Sequence, residues 1–259
     1  MLELKGLYKT FNAGTVNEKR AINGLDLTLE DGDFATVIGG NGAGKSTMLN
    51  LISGVFPADA GTITLNGVDI TNLPEHKRAR YLGRVFQDPM MGTAATMGIE
   101  ENLALANRRG KSRGLARGIT AQERTLYKQQ LATLGLGLEA RMTSKVGLLS
   151  GGQRQALTLL MATLKKPELL LLDEHTAALD PKTADKVLQL TQEIVERDKL
   201  TTLMVTHNMK NAIQYGNRLI MMDAGRVVVD IRGEEKKNLT VRDLLEKFNI
   251  ENDRMLLSE

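Results

Sequence analysis

Apolar and polar positions alternate early in the chain: Leu25, Leu27 and Leu29 are interleaved with Asp26, Thr28 and Glu30. A period of two predicts a half-buried strand, and roughly the first 35 residues read as strands in this way. Asp31-Gly32-Asp33 predicts a turn. Phe34–Ile38 is a short apolar strand that runs directly into a glycine-rich loop, and beyond it Met48, Leu49, Leu51 and Ile52 recur at helical spacing. Thr62–Leu65 and Val68–Ile70 flank Asn66-Gly67, a two-residue hairpin signal.

From residue 89 to residue 164 the pattern turns helical, carried by Met97, Ile99, Leu103, Leu105, Leu131, Leu134 and Leu136. Alternating strand and helix signals return after Pro167. Leu169–Leu172 is apolar at every position, as a parallel strand covered on both faces requires. Lys199–Thr206 predicts another strand around Leu203, Met204 and Val205. Arg218–Val229 predicts a hairpin turning at Asp223-Ala224-Gly225. The expected division is a core of residues 1–88 and 165–259, bearing an antiparallel β subdomain, with residues 89–164 as an inserted helical subdomain. The final segment carries one amphipathic pattern, Val241, Leu244, Leu245 and Phe248. It is too short for an added regulatory domain of about 100 residues.

Composition narrows the function classes. The chain has 259 residues, 42% of them hydrophobic, enough for a sizeable core. The absence of cysteine excludes disulfides, thiolate catalysis and cysteine-ligated zinc. Aromatics make up 3% with no Trp, which argues against a stacking platform for single-stranded nucleic acid. The net charge of +3 is spread along the chain and does not force a nucleic-acid partner, and none is expected, although the pI near 9 leaves one open. The first residues lack the apolar core of a signal peptide, and no uncharged apolar stretch approaches the ~20 residues that span a bilayer. A cytoplasmic location is therefore expected, with any membrane contact made through a partner or along the surface.

Three segments carry chemistry. Gly39-x4-Gly44-Lys45-Ser46 matches the Walker A pattern, between a predicted strand and a predicted helix. Gly39, Gly42 and Gly44, with Asn41 and Ala43 between them, let backbone N–H groups face phosphate oxygens. The following helix presents its positive end at Lys45, Ser46 and Thr47. Lys45 would reach the β- and γ-phosphates and Ser46 would hold Mg2+. Asp173 and Glu174 close the apolar strand at the end where ligands bind in open α/β sheets. Asp173 would act on Mg2+ and Glu174 would polarise the attacking water. The third segment is Leu149-Ser150-Gly151-Gly152-Gln153-Arg154-Gln155. Ser150 can cap the helix that follows, and the two glycines leave bare N–H groups for an anion.

Together and in this order, these segments resemble an ATP-binding cassette ATPase over nearly the full chain. The resemblance implies an α/β fold: a P-loop NTPase core with a mixed sheet flanked by helices, an antiparallel β subdomain and an inserted helical subdomain. It identifies Ser150, Gly151, Gly152 and Gln153 as the signature that meets the ATP of an opposite subunit. Gln87, after Val85-Phe86, is similar to the Q-loop glutamine that senses the γ-phosphate and Mg2+. Asp180, in Ala178-Leu179-Asp180, matches the D-loop. His207 matches the switch histidine at the γ-phosphate. Phe11 resembles the aromatic that stacks on adenine, with Tyr8 as a competitor. Two features depart from the family pattern: His175 stands where proline is usual, and the Asn12–Arg20 segment is longer than in the shortest members.

The resemblance further implies ATP and Mg2+ as cofactors, an ATP-sandwiched homodimer, and separate multi-spanning permease subunits. The chain would lie peripherally on the inner face of the cell membrane. Within the family it is similar to import ATPases paired with extracytoplasmic solute-binding proteins, for which aromatic amino acids are among the suggested cargoes. The alternative is a non-transport cassette ATPase acting on a cytoplasmic scaffold or on cell-division or envelope machinery. Arg108, Arg109, Lys111, Arg113 and Arg117 form a basic stretch that reads either as a solvated, mobile face or as a contact for anionic headgroups or an acidic partner.

Overall fold

The computed structural model describes residues 1–111 and 118–247. In chain order the strands are β1 (Leu2–Phe11), β2 (Lys19–Leu29), β3 (Phe34–Ile38), β4 (Ala60–Leu65), β5 (Val68–Asp69) and β6 (Leu82–Val85), then β7 (Leu169–Asp173), β8 (Thr202–Val205), β9 (Arg218–Asp223) and β10 (Arg226–Arg232). The helices are α1 (Lys45–Ser53), α2 (Glu75–Arg78), α3 (Ile99–Asn107), α4 (Ala121–Ala132), α5 (Gly151–Thr163), α6 (Pro181–Asp198), α7 (Met209–Gln214) and α8 (Gly233–Lys237). The chain divides into two compact units, Met1–Leu73 with Thr201–Glu259, and Pro74–Leu200.

In the first unit, β1 pairs antiparallel with both β2 and β4, and β4 continues into β5. The β4–β5 turn places Asn66 at φ 48° and Gly67 at φ 75°, the two successive positive values that a two-residue hairpin turn needs. A second group of strands holds β3 parallel to β8 and β9, with β10 antiparallel to β9. All five residues of β3 are buried, including Thr36, whose hydroxyl donates to the Ala212 carbonyl at 2.8 Å. Arg218, 2% exposed, ties this unit together. Its guanidinium grips the Asp230 carboxylate at 2.7 and 2.8 Å and Asp33 at 3.0 Å, and donates to the Thr28 carbonyl. Leu244, on a helical stretch at 241–247, is buried against Leu219, Met221 and Ile231. Phe248, its expected companion, lies outside the described residues.

In the second unit, β6 and β7 are parallel, with Val85 opposite Leu172. A helical core gathers Ile99, Leu103, Tyr127, Leu131, Leu157 and Leu160 from α3, α4 and α5. Leu105 is exposed, so the apolar stripe of α3 is narrower than its sequence pattern. The strand expected from Lys199 begins at Thr202. Lys199 instead closes α6 in a left-handed conformation, φ 48°, and its N–H returns to the carbonyls of the last helical turn.

Candidate active site

The phosphate loop is built within the first unit. β3 ends at Ile38 and the chain turns through Gly39, Gly42 and Gly44 at φ 155°, 87° and 98°. A Cβ on Gly39 would meet the Met222 carbonyl oxygen at 2.2 Å, and one on Gly44 would meet that of Ala21 at 2.6 Å. Glycine is therefore required by neighbouring backbone as well as by its own torsion. Gly225, at the β9–β10 turn, donates its N–H to the Ala43 carbonyl at 3.2 Å. Helix α1 then opens with Gly44 at its N-cap and no side-chain cap, which leaves its first N–H groups suited to an anion. Lys45, 8% exposed, donates from Nζ to the carbonyls of Gly39 at 2.8 Å and Gly40 at 3.0 Å, so its ammonium is held against the loop.

His207 reaches the same end of the unit. Thr206 N–H donates to the Val37 carbonyl at 3.0 Å, which sets the end of β8 beside the end of β3. Asn208 caps α7 through its side chain and the Asn211 N–H at 3.1 Å, leaving His207 exposed between strand and helix. Phe11 is half-buried at the end of β1, edge-on to Phe56 with ring centroids 5.2 Å apart, and Lys9 Nζ lies 5.7 Å from its centroid. Tyr8 lies across Gly24, its hydroxyl 2.9 Å from where a Cβ there would be.

The second unit carries the carboxylates. Because Val85 is in register with Leu172, Gln87 and Glu174 each follow two residues beyond paired positions, at neighbouring strand ends. Asp173, at the end of β7, faces Arg84 Nη2 at 3.6 Å. The Arg84 guanidinium also stacks over Phe86, 4.7 Å from the ring centroid, and its burial lowers its pKa. Sequence reasoning missed Arg84; its one signal was a lone cation in an otherwise apolar strand. Among the described residues, no cluster of three or more His, Cys, Asp or Glu could hold a metal ion.

Glu174 sits in the left-handed region at φ 45°, a conformation that costs a non-glycine residue about 1 kcal/mol or more. The turn is closed by Ala177 N–H donating to the Glu174 carbonyl at 2.9 Å. His175, next in the chain, is 2% exposed, and burial lowers its pKa to about 4, so it is neutral near pH 7. Its Nε2 is 3.1 Å from Thr191 Oγ1. The single Thr191 hydroxyl proton goes to the Val187 carbonyl at 2.7 Å, so the imidazole is the donor and carries its proton on Nε2.

Ser150 caps α5 as its sequence predicts. Gln153 N–H donates to Ser150 Oγ at 3.3 Å and Ser150 N–H donates to Gln153 Oε1 at 3.2 Å. Asp180 caps α6 through the Thr183 N–H at 3.1 Å, and hydrogen bonds from the Thr183 hydroxyl and N–H lower the Asp180 pKa. The two caps are neighbours: a Cβ on Gly152 would strike Thr183 Cγ2 at 2.2 Å, and one on Gly151 would touch Leu179 at 3.2 Å.

The basic stretch is neither a solvated face nor a free cationic patch at its described arginines. Arg108 pairs with Glu123 at 3.2 and 3.3 Å. Arg109 donates to the carbonyls of Ala162 at 3.0 Å and Lys165 at 2.6 Å, closing the end of α5. Lys111 is exposed, and Arg113 and Arg117 lie outside the described residues.

A parallel-stranded core with a glycine loop between β3 and α1, and an apolar strand ending in paired carboxylates, defines a P-loop nucleotide hydrolase. Residues 22–177 match the family described as ABC transporter, and the chain belongs to that family as an ATP-binding, ATP-hydrolysing transport subunit. It is 48% identical over 248 residues to the tyrosine transport ATP-binding protein of Clostridioides difficile (strain R20291), covering 96% of this chain and 98% of that one. It is 34% identical over 236 residues to a lipoprotein-releasing system ATP-binding protein of Caulobacter vibrioides (strain ATCC 19089 / CIP 103742 / CB 15), covering 90% and 96%. A dimeric ATP-binding cassette in a post-hydrolysis state, bound to ADP and Pi, superposes with a TM-score of 0.76 at 30% identity, covering 90% and 98%. No described helix is long and apolar enough to cross a membrane.

Proposed function

We propose that this chain energises import of an amino-acid-type solute, with tyrosine as the first candidate. The observation that carries this reading is the 48% identity to the tyrosine transport protein over almost the whole of both chains. The lipoprotein-releasing relative is less similar, at 34%. The chain would lie on the inner face of the membrane and dock on multi-spanning permease subunits, with a solute-binding protein delivering cargo from the other side.

In this reading residues 39–47 hold the phosphates of ATP, with Lys45 as the principal cation, and Phe11 stacks on adenine. Ser46, Gln87 and Asp173 hold Mg2+, which when bound neutralises charge on the phosphate oxygens. Glu174 accepts a proton from the attacking water, and His207 contacts the γ-phosphate. A second copy supplies Ser150, Gly151, Gly152 and Gln153 to the same nucleotide. The dimeric cassette noted above supports that arrangement, as does the open N-terminus of α5, whose cap Ser150 and first glycine are exposed. Asp180 follows at the start of α6, next to the signature glycines.

Two measurements on the native host test the proposal. Deleting the gene should abolish uptake of labelled tyrosine, and the intact gene should restore it while Glu174→Gln should not. The tagged chain, purified from native membranes in mild detergent, should carry a multi-spanning protein in stoichiometric amount. Unchanged tyrosine uptake overturns the cargo, and a soluble scaffold in place of the permease overturns the import role.

A further inference from the structure

The segment between β1 and β2 has a defined internal structure. Thr15 N–H donates to the Asn12 carbonyl at 3.1 Å and Glu18 N–H to the Thr15 carbonyl at 3.0 Å. Glu18 turns its carboxylate back onto the Gly14 N–H at 2.7 Å. These successive turns return the chain with Lys19 paired opposite Phe11 across the two strands. Lys19 Nζ then stands 3.6 Å from where a Cβ on Gly42 would lie, over the middle of the phosphate loop.

The charges around it are committed elsewhere. Lys9 is paired with Asp59 at 2.7 Å, and Lys45 donates to loop carbonyls. Glu18, the adjacent carboxylate, is engaged with backbone. Among the described residues Lys19 makes no ion pair. An ammonium without a counter-charge, next to a loop whose N–H groups already favour an anion, raises the local positive potential at that point. It also lies on the same strand pair as the aromatic expected to meet adenine.

We infer that Lys19 binds the phosphate chain of the nucleotide as a second cation beside Lys45, and that the 12–18 segment serves to deliver it there. The inference rests on residues 39–47 being the nucleotide loop. Lys19 is exposed, so its contribution is screened by water and salt and is smaller than that of the buried Lys45.

Calorimetric titration of the purified full chain tests it, in EDTA so that no hydrolysis occurs, with ATP, ADP and AMP as probes. Lys19→Gln should weaken ATP binding by about 2- to 5-fold at low salt. The loss should shrink from ATP to ADP to AMP, and shrink again as salt rises to several hundred millimolar. Lys19→Arg should bind ATP like the unaltered chain. Unchanged ATP affinity in Lys19→Gln, or an equal loss for AMP and ATP, overturns the inference. Lys45→Ala is the separate control: if it binds ATP as tightly as the unaltered chain, the assignment of the nucleotide loop itself fails, whatever Lys19 does.

Discussion

His175 Nε2 lies 3.1 Å from Thr191 Oγ1, joining the turn that carries Glu174 to the body of α6. The residue where a proline is usual is therefore a buried clamp. A proline restrains the backbone by fixing its own torsion. The histidine restrains it by burial and one hydrogen bond, next to a residue held at φ 45°.

If the clamp holds Glu174 in place, loosening it should affect turnover more than nucleotide binding. His175→Ala is expected to lower kcat for ATP hydrolysis about 10-fold, with the KM for ATP within about 2-fold. Thermal unfolding should report a loss of about 2–3 kcal/mol from the cavity and the lost bond. Thr191→Val should lower kcat in the same direction by less. A lowered Tm with unchanged kcat would show that His175 supports the fold alone.

Gly152 is required by its packing against α6, because a Cβ there would be 2.2 Å from Thr183 Cγ2. Gly152→Ala should cost about 1–3 kcal/mol through overpacking. Thr183→Ser removes the offending methyl and keeps the backbone N–H that Asp180 caps. The double variant should recover most of the lost stability, a coupling that denaturant titrations of the four proteins would measure. Additive losses would contradict this packing.

Lys236 supplies a pH test. It is 2% exposed, and its Nζ donates to the carbonyls of Tyr215 and, at 3.0 Å, Gly216. Burial lowers its pKa from 10.5 to about 8. Below that value Lys236 is charged in both folded and unfolded chains. Between about 8 and 10.5 the unfolded chain keeps the proton that the folded chain has released, so this residue's contribution to stability rises with pH across that window. The rise should be about 2–3 kcal/mol. Chemical denaturation of the unaltered chain and Lys236→Met from pH 7 to 10.5 should give a difference with this slope; parallel curves would rule it out.

Asp173 and Arg84 face each other at 3.6 Å; if Asp173 holds Mg2+ as proposed, Arg84 and the ion compete electrostatically for one carboxylate. Arg84→Met should lower the Mg2+ concentration that half-saturates ATPase activity by about 2- to 5-fold, at some cost in stability. A higher Mg2+ requirement would mean that Arg84 positions Asp173 for the metal.

Glu174→Gln keeps the shape of the side chain but removes its proton acceptor. With ATP and Mg2+ it should accumulate a dimer that the unaltered chain forms only transiently, visible by gel filtration with light scattering. Monomers under those conditions would count against an ATP-sandwiched pair.

Residue order alone is enough to read the glycine loop between β3 and α1, the apolar β7 ending in Asp173, Ser150 as the cap of α5 and the hairpin turn at Asn66-Gly67. Each depends on residues only a few positions apart, whose torsions and short hydrogen bonds are set by local chemistry. The strand edge at Lys199 is not legible locally for the same reason: Leu200 and Thr201 continue a β-like pattern, and only the closing bonds of α6 place Lys199 in a helix terminus.

Which side chains meet across the fold was not legible. Arg84 facing Asp173, His175 reaching Thr191, Gly152 packed on Thr183, Arg109 closing α5 and Lys19 over Gly42 all join residues brought together by packing. Periodicity states which face of an element is buried, but not the register or the neighbour it is buried against. Residue identity and spacing specify the family, the local motifs and their order. Tertiary structure alone decided which charges are spent on the fold and which face the phosphate loop, because that depends on distances between elements remote in the chain.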